Sequence, residues 1–435
     1  MDTTTLKQFI ELLNVERDSS ITFDEFKEEL SKHKLSFKED ENLAIVYSDE
    51  FVGKNSTELS PLEKNTRSVV LEKDSMKILC SQYNGILYND EMIEHLKLAN
   101  WNEVTIEQCY EGTTLLVFNH NDNWYVSTRR CLDASKSFWN HSISYREMFD
   151  EAIKDKFTLD SLDKTCTYTF VLVHYLNKNI VNYNSFGDEY CEVIHTQTKR
   201  NFTNEEVTKT IENVKTSTKK EFESLEKLMK NLNELDATYR KNKKICSEGY
   251  IVKYKNYIGK LQPLIYQEIS EMKPNNSNIN QVYLELYQTN KLDQFLPYFT
   301  FYVKSIKQRI HNSMKTITQE FLDIYHATRN QKNKELYDTL PEVYKKVLFG
   351  IHGIYIENRK VDFNEGVELA PINQKSHSIS LHDIYHYLKG VEPHLLRSIF
   401  FERNRTITQG TANKFIRQTC IYCKTHTNAM SLYIN

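Results

Sequence analysis

The sequence predicts an α+β protein, with a body of antiparallel sheets flanked by helices and an all-helical C-terminal region. Three observations lead there. From about residue 43 to residue 200, short segments rich in Val, Ile, Tyr and Thr alternate with polar turns, as in strands joined by hairpins. After Pro274-Asn275-Asn276-Ser277-Asn278 the apolar residues recur at helical spacing. Ahead of both, residues 1 to about 40 carry short amphipathic helices. The 435 residues are enough for two or three cores, and these changes of character set expected domains of 1–40, 41–270 and 271–435.

In the first segment Leu6, Phe9, Ile10 and Leu13 share one helical face, and Ser20 or Thr22-Phe23-Asp24-Glu25 opens the next helix. This segment reads as a packing appendage. Strands are expected at Arg67-Ser68-Val69-Val70-Leu71, at Ile78-Leu79-Cys80 and at Tyr83 to Asn89. Thr113 to Phe118 and Trp124 to Arg130 form a hairpin around the polar turn Asn119 to Asn123. Tyr168 to His174, Asn177 to Val181, Glu248 to Lys253 and Lys260 to Gln262 complete the set. Residues 203–240 are strongly charged, and Phe222, Leu225, Met229 and Leu232 at helical spacing predict a surface helix between strands. Beyond residue 278, helices are expected around Leu284, Tyr287, Leu292 and Leu296, then over Phe299 to Tyr325, Leu336 to Ile356 and Ile384 to Phe401.

A net charge of −3 gives no global basic field of the kind that announces a nucleic-acid binder, which leaves only a local basic groove for that role. Eight cysteines without paired spacing, and a start of Met1-Asp2-Thr3-Thr4-Thr5 unlike a signal or transit peptide, lead us to expect a reduced, intracellular, cytoplasmic protein. No apolar run approaches the ~20 residues of a membrane helix.

The chemistry-bearing residues lie in the sheet region. Cys109-Tyr110-Glu111-Gly112 directly precedes an apolar strand, where a lysine-dependent nucleotidyl transferase carries Lys-x-Asp/Glu-Gly. Together with Arg67 after the first strand, the segment Tyr83 to Asn89, the central strand through Phe170, Glu248-Gly249 and Lys260, this ordered set resembles the phage RNA ligase 1 family of covalent nucleotidyl transferases over roughly residues 40 to 270. Divergent ligase-like proteins of large DNA viruses, which also carry a helical tail, are the nearest likeness within it. The resemblance implies an ATP-grasp-like ligase domain, ATP and Mg²⁺ as cofactors of an active member, RNA or other polynucleotide ends as partners, and host cytoplasm or a virion as the location.

Carried over residue by residue, the resemblance puts Arg67 on ribose or phosphate, Glu111 and Glu248 near the metal, Lys260 on the α-phosphate, and Phe170 and Lys253 among the nucleotide contacts. Arg129 and Arg130, at the end of a strand facing the cleft, are candidates for phosphate contacts. In a regular strand only one of them faces inward. Ser68 stands for the usual glycine after Arg67 and Gln262 for a second phosphate-contacting lysine, and three further positions depart in ways that hurt the reaction: Cys109 replaces the nucleophilic lysine, Val171 a glutamate, and Ile86 a lysine. Phosphoryl transfer depends on positioning and charge neutralisation around the triphosphate, so the joint loss implies that ordinary self-adenylylation is gone. Two other versions stay open. An active ligase would use a displaced nucleophile, Lys253 or Lys136, or Cys109 as a thiolate lowered by Arg129, Arg130 or Lys260. A structural or virion-associated protein would retain only the fold.

Elsewhere, Cys420-x-x-Cys423 with His426 has zinc-like spacing but no second ligand pair. His311, His326 and His352 sit among apolar residues of expected helices and read as ordinary satisfied histidines.

Overall fold

The computed structural model describes residues 5–49, 59–83, 85–139, 143–177, 179–273, 278–299, 306–364 and 379–408. Cys420, Cys423 and His426 lie outside them. The chain divides into two compact units, residues 1–271 with 298–300, and residues 272–297 with 301–435.

The first unit opens with α1 (Leu6–Arg17) and α2 (Phe23–Leu30), whose N-caps Thr5 and Thr22 each complete a capping box with Gln8 and Glu25. Then follow β1 (Leu35–Glu39), β2 (Leu43–Ser48), the short α3 (Pro61–Asn65), β3 (Val69–Glu72) and β4 (Ile78–Ser81). These four strands pair in sequence order as an antiparallel sheet. Leu6, Phe9, Ile10, Leu13, Phe26 and Leu30 share one core with Ala44, Val46, Val69 and Leu71. The N-terminal segment is therefore built into the sheet rather than appended to it, because two short amphipathic helices need a sheet face to bury their apolar stripes.

Next come β5 (Ile86–Tyr88), α4 (Asp90–Leu96), β6 (Thr105–Cys109), β7 (Thr113–His120), β8 (Asn123–Ser127), α5 (Tyr145–Ile153), β9 (Cys166–His174) and β10 (Cys191–Arg200). The unit continues with β11 (Lys215–Thr216), β12 (Lys219–Lys220), α6 (Leu225–Asn242), β13 (Gly249–Tyr254), β14 (Tyr257–Leu261) and α7 (Leu264–Met272). A second sheet has the order β11-β10-β9-β7-β8 and a third β12-β6-β13-β14-β5. All their pairings are antiparallel except β10 with β11 and β14 with β5. The predicted β7–β8 hairpin closes through Asn121 and Asp122, both at positive φ (51° and 62°), as a two-residue turn that follows the strand twist.

Helix α6 begins only at Leu225, with Ser224 as its N-cap, so the helix expected over 203–240 is shorter. The lysine- and threonine-rich run before it forms β11 and β12, which join the edges of the second and third sheets.

Each sheet has one face against helices. In the second, Leu115, Tyr168, Phe170, Leu172 and Val193 pack on Met148 and Phe149 of α5. In the third, Ile106, Tyr250, Val252, Tyr254 and Leu261 pack on Met92, Leu96, Leu228 and Leu232. Strand alternation then puts Glu107, Cys109, Ile251, Lys253 and Lys260 on the other face of the third sheet, where the register sets Cys109 opposite Gly249 and Lys260 opposite Ile251.

The second unit is helical: α8 (Ile279–Gln288), α9 (Leu292–Phe295), α10 (Ile306–Tyr325), α11 (Lys334–Thr339), α12 (Glu342–Asn364), α13 (Leu381–Gly390) and α14 (Pro393–Thr408). Two expected helices are each split in two. Pro341 holds Leu340 extended (φ −71°, ψ 144°) between α11 and α12, and Val391 is extended ahead of Pro393, which starts α14. Glu320 of α10 is fully buried, accepting from Arg403 Nε of α14 at 2.6 Å and Tyr344 Oη of α12 at 3.0 Å. The fold is thus α+β, with largely antiparallel sheets flanked by helices and a helical C-terminal region.

Candidate functional site

Cys109 ends β6, and Glu248 immediately precedes β13, its partner strand. Two glycines permit this closeness. A Cβ on Gly112 would lie 2.4 Å from the carbonyl oxygen of Leu172 in β9. Gly249, at φ +121°, would place one 2.2 Å from the carbonyl oxygen of Leu261. The glycines of the two motifs are thus required by the approach of neighbouring strands.

At the centre, Lys260 Nζ lies 2.6 Å from Glu248 Oε1, with side chains only 19% and 5% exposed. Gln262 Nε2 donates to the same oxygen at 2.9 Å. Gln262 is itself held by its backbone N–H to Asn89 Oδ1 (2.9 Å) and by Gln267 Nε2 to its carbonyl (2.8 Å). Burial acts to lower the Lys260 ammonium, but the Glu248 carboxylate 2.6 Å away outweighs it, so its pKa stands above the ordinary range. Burial pushes the Cys109 thiol well up, Glu248 adds to the effect, and Lys260 offsets only part of it. Burial and Glu248 thus both favour the neutral thiol over the thiolate at Cys109. Tyr183 and Tyr266 are likewise held as neutral phenols, by burial first and then by Glu111 and Glu248.

A second cationic group adjoins this centre. Arg129 is held down at about 10 by burial and then by the charges of Arg67 and Arg130, so the three guanidinium groups are near enough to act on one another. Tyr88 acts on both Arg129 and Lys260 and pairs with Lys260 across β5 and β14, so it links the two groups. The alternation rule fails for Arg129 and Arg130 because β8 stops at Ser127 and the arginines lie in a turn, where Thr128 N–H donates to Cys131 O at 2.9 Å. Arg130 also donates to Asp49 O at 2.8 Å and lies over the Tyr47 ring.

The remaining sequence candidates divide. Lys253 shares the sheet face of Cys109 and pairs with Glu107 at 3.1 Å. Glu111 is close by, but its Oε2 accepts the Val181 N–H at 2.6 Å and its carbonyl accepts Tyr183 Oη at 2.9 Å, so it anchors the chain after β9. Phe170 does not belong to the site. It is fully buried on the opposite face of β9, 5.7 Å from Phe149 and 5.8 Å from Phe157 by ring centroids. Lys136 is exposed beside Asp133 and does not join the Cys109 group. Val171 and Ile86, which replace a glutamate and a lysine, are respectively packed against the Tyr110, Val173 and Ile194 cluster and buried on β5. Tyr88, Asn89, Tyr183, Tyr266 and Gln267 were not singled out in the sequence. Only Tyr88 and Asn89, within the strand-like run from Tyr83, carried a signal there.

Glu248 and Glu111 are the carboxylates that could hold a Mg²⁺ here, and each has one oxygen engaged within the protein. Oε1 of Glu248 is shared by a lysine and an amide, and Glu111 Oε2 is engaged by a backbone N–H. Elsewhere, Glu151, His174 and Cys191 bring ligand atoms within 4.8 Å of one another. There the Leu176 N–H donates to His174 Nδ1 at 3.2 Å, so Nε2 carries the proton and faces Glu151 Oε2 at 3.3 Å, without the lone pair a metal needs. In the second unit His311 meets Tyr287 Oη, His352 meets Tyr325 Oη and His326 meets Asn330. Among the described residues no helix is long and apolar enough to cross a membrane.

No protein-family model matches this chain. Part of it is similar to two viral proteins, each described as "Immediate-early protein ICP-46 homolog". The one from Invertebrate iridescent virus 3 is 28% identical over 123 residues, 25% of this chain and 27% of the relative. The one from Invertebrate iridescent virus 6 is 30% identical over 155 residues, 34% and 32% respectively. The matched stretch thus spans about a quarter to a third of those relatives. Among solved structures, an archaeal ATP-dependent RNA ligase is similar over 67% of this chain and 78% of its own, with TM-score 0.39 and 9% identity. A putative ATP-dependent DNA ligase from Aquifex aeolicus is similar over 63% and 70%, with TM-score 0.38 and 12% identity.

Proposed function

We propose that this is an RNA-ligase-like protein that binds a nucleotide or the 5′-phosphate end of an RNA in the cleft beside β6, β13 and β14, without forming a covalent nucleotidyl bond. The observation that carries this reading is the buried Lys260–Glu248 pair, 2.6 Å apart on the sheet face of Cys109, with Tyr88 directly across from Lys260 and with Arg129 close enough to feel the charges of Arg67 and Arg130. Clustered guanidinium groups repel one another, and a bound phosphate relieves that repulsion with bidentate, charge-assisted hydrogen bonds. Lys260, kept protonated beside Glu248, is suited to hold a phosphate and unsuited to attack one, since a nucleophilic amine must lose its proton.

The ligand would be held through phosphate by Arg67, Arg129, Arg130 and Lys260. Lys253, paired with Glu107, sits further along the same sheet face. ATP is a candidate ligand by its triphosphate.

The test is titration of a 5′-phosphorylated RNA oligonucleotide against wild type and an R67A/K260A double variant at two salt concentrations. The wild type is expected to bind with an affinity that falls as salt rises, because each phosphate contact releases counterions. The double variant is expected to bind more weakly with a shallower salt slope, whereas K227A on α6 should match wild type. Equal binding by wild type and R67A/K260A would remove the site and favour a protein that keeps only the fold.

A further inference from the structure

The chain between β9 and β10 carries three aromatic rings in a row. Tyr183 and Tyr190 stack with centroids 5.9 Å apart and planes at 25°, and Phe186 continues the row 5.0 Å from Tyr190 at 30°. Its inner end is fixed. Tyr183 Oη donates to the Glu111 carbonyl, the Val181 N–H donates to the Glu111 carboxylate, and the Asn182 N–H donates to Ile245 O at 2.7 Å. Its outer end is open, with Phe186 62% exposed, where a ring serving only a core would be covered.

Cations lie along the same edge. Lys215 Nζ sits 5.1 Å from the centre of the Tyr110 ring and 5.6 Å from that of Phe186. The run from Lys215 is stitched to β6 by the Gln108 N–H to Thr218 O (2.8 Å) and by Tyr110 Oη to Thr218 Oγ1 (3.4 Å), and it ends in the exposed Lys219 and Lys220. Tyr110 directly follows Cys109, so this edge is continuous with the phosphate site. Exposed Asp188 and Glu189 in the same loop oppose a polyanion, so the attraction here comes from stacking and from the lysine edge. An exposed ring beside lysines suits a nucleobase with its phosphate, because every base has a π-face and stacking on a pre-ordered ring costs little ordering entropy.

We infer that Phe186, backed by Tyr190 and flanked by Lys215, Lys219 and Lys220, is a stacking platform for the bases of a single-stranded polynucleotide. This rests on the reading that its 5′-phosphate end occupies the arginine and lysine site. The platform gives strand binding without sequence preference, and a mononucleotide held by its phosphate gains nothing from it.

The full chain is titrated with two probes, a 5′-phosphorylated oligoadenylate RNA and AMP, using wild type, F186A, F186W and R67A/K260A. F186A is expected to lose about tenfold in affinity for the oligonucleotide, the scale of one lost base stack, and F186W to restore it. Both should bind AMP as wild type does, and R67A/K260A should weaken both probes. Oligonucleotide binding unchanged in F186A while R67A/K260A loses it would overturn the platform and leave the phosphate site standing. An equal loss of AMP affinity in F186A would also overturn it, by showing the ring to be a mononucleotide contact. If wild type binds neither probe, the phosphate site fails and the platform with it.

Discussion

The two units each bury an ion pair, and the pairs differ in what surrounds them. In the helical unit Glu320 and Arg403 are 0% and 3% exposed, and Glu320 spends one oxygen on the arginine and the other on Tyr344. That pair ties α10, α12 and α14 together. In the sheet unit Glu248 gives one oxygen to both Lys260 and Gln262, and around them stand Cys109, Tyr183, Tyr266, Tyr88 and, through Tyr88, three arginines. A buried pair among groups with shifted pKa values is the kind that marks a site, while a pair whose carboxylate is held by side chains from two other helices marks a joint between them.

The largest effect separating them should come from breaking the helical pair. Arg403→Met strands a buried carboxylate and should cost roughly 3–5 kcal/mol of stability. The double change Glu320→Met with Arg403→Met removes both charges and should recover most of that loss. Denaturant unfolding of the three proteins checks this, and a double variant no better than the single would mean that the pair has a role beyond closing its own charge. The corresponding double change in the sheet unit, Glu248→Met with Lys260→Met, should also keep the fold but abolish binding of 5′-phosphorylated RNA.

Next in size is Cys109→Lys, which puts a second ammonium beside Lys260 in a buried setting. It should lower stability by roughly 3 kcal/mol, since the new charge has only the carboxylate that Lys260 already uses. Unchanged or raised stability would show that the cleft is ready to receive a lysine.

The smallest effect is a pH dependence. Burial depresses the pKa of His174 and of His195 below the ordinary 6.5, against partial opposition from Glu151 and a backbone contact at Gln197. The unfolded chain therefore binds more protons than the folded one between the depressed values and about 6.5. Stability should be full above 6.5 and fall as pH drops through that window. Comparing urea midpoints at pH 7.5 and 5.5 for wild type and His195→Gln checks this, and the variant should show the smaller fall.

The same two regions differ in how far the sequence revealed them. Fold class was legible because alternation and helical spacing follow directly from what each element must bury. The motif residues were legible as residue types, and Cys109, Glu248 and Lys260 do come together. Which face each residue takes was less legible. Phe170 lies in a strand buried on both faces, Cys166–His174, where burial alone does not tell core from site. The capture of Glu111 by the Val181 N–H depends on a loop seventy residues away. The contributions of Tyr88, Tyr183 and Tyr266 are likewise contacts between distant segments, which local pattern does not carry.

The measurement that bears most directly on a phosphate clamp without a nucleophile is the intact mass of the protein after incubation with ATP and Mg²⁺, with Cys109→Lys run in parallel. The account predicts an unshifted mass for wild type, because burial and Glu248 favour the neutral thiol at Cys109 and Glu248 holds Lys260 as an ammonium. It predicts an unshifted mass for Cys109→Lys as well, because Ile86 and Val171 leave the triphosphate without its usual contacts. A stable nucleotidyl adduct on wild type, mapped by peptide analysis to Lys253, Lys260 or Cys109, would contradict it.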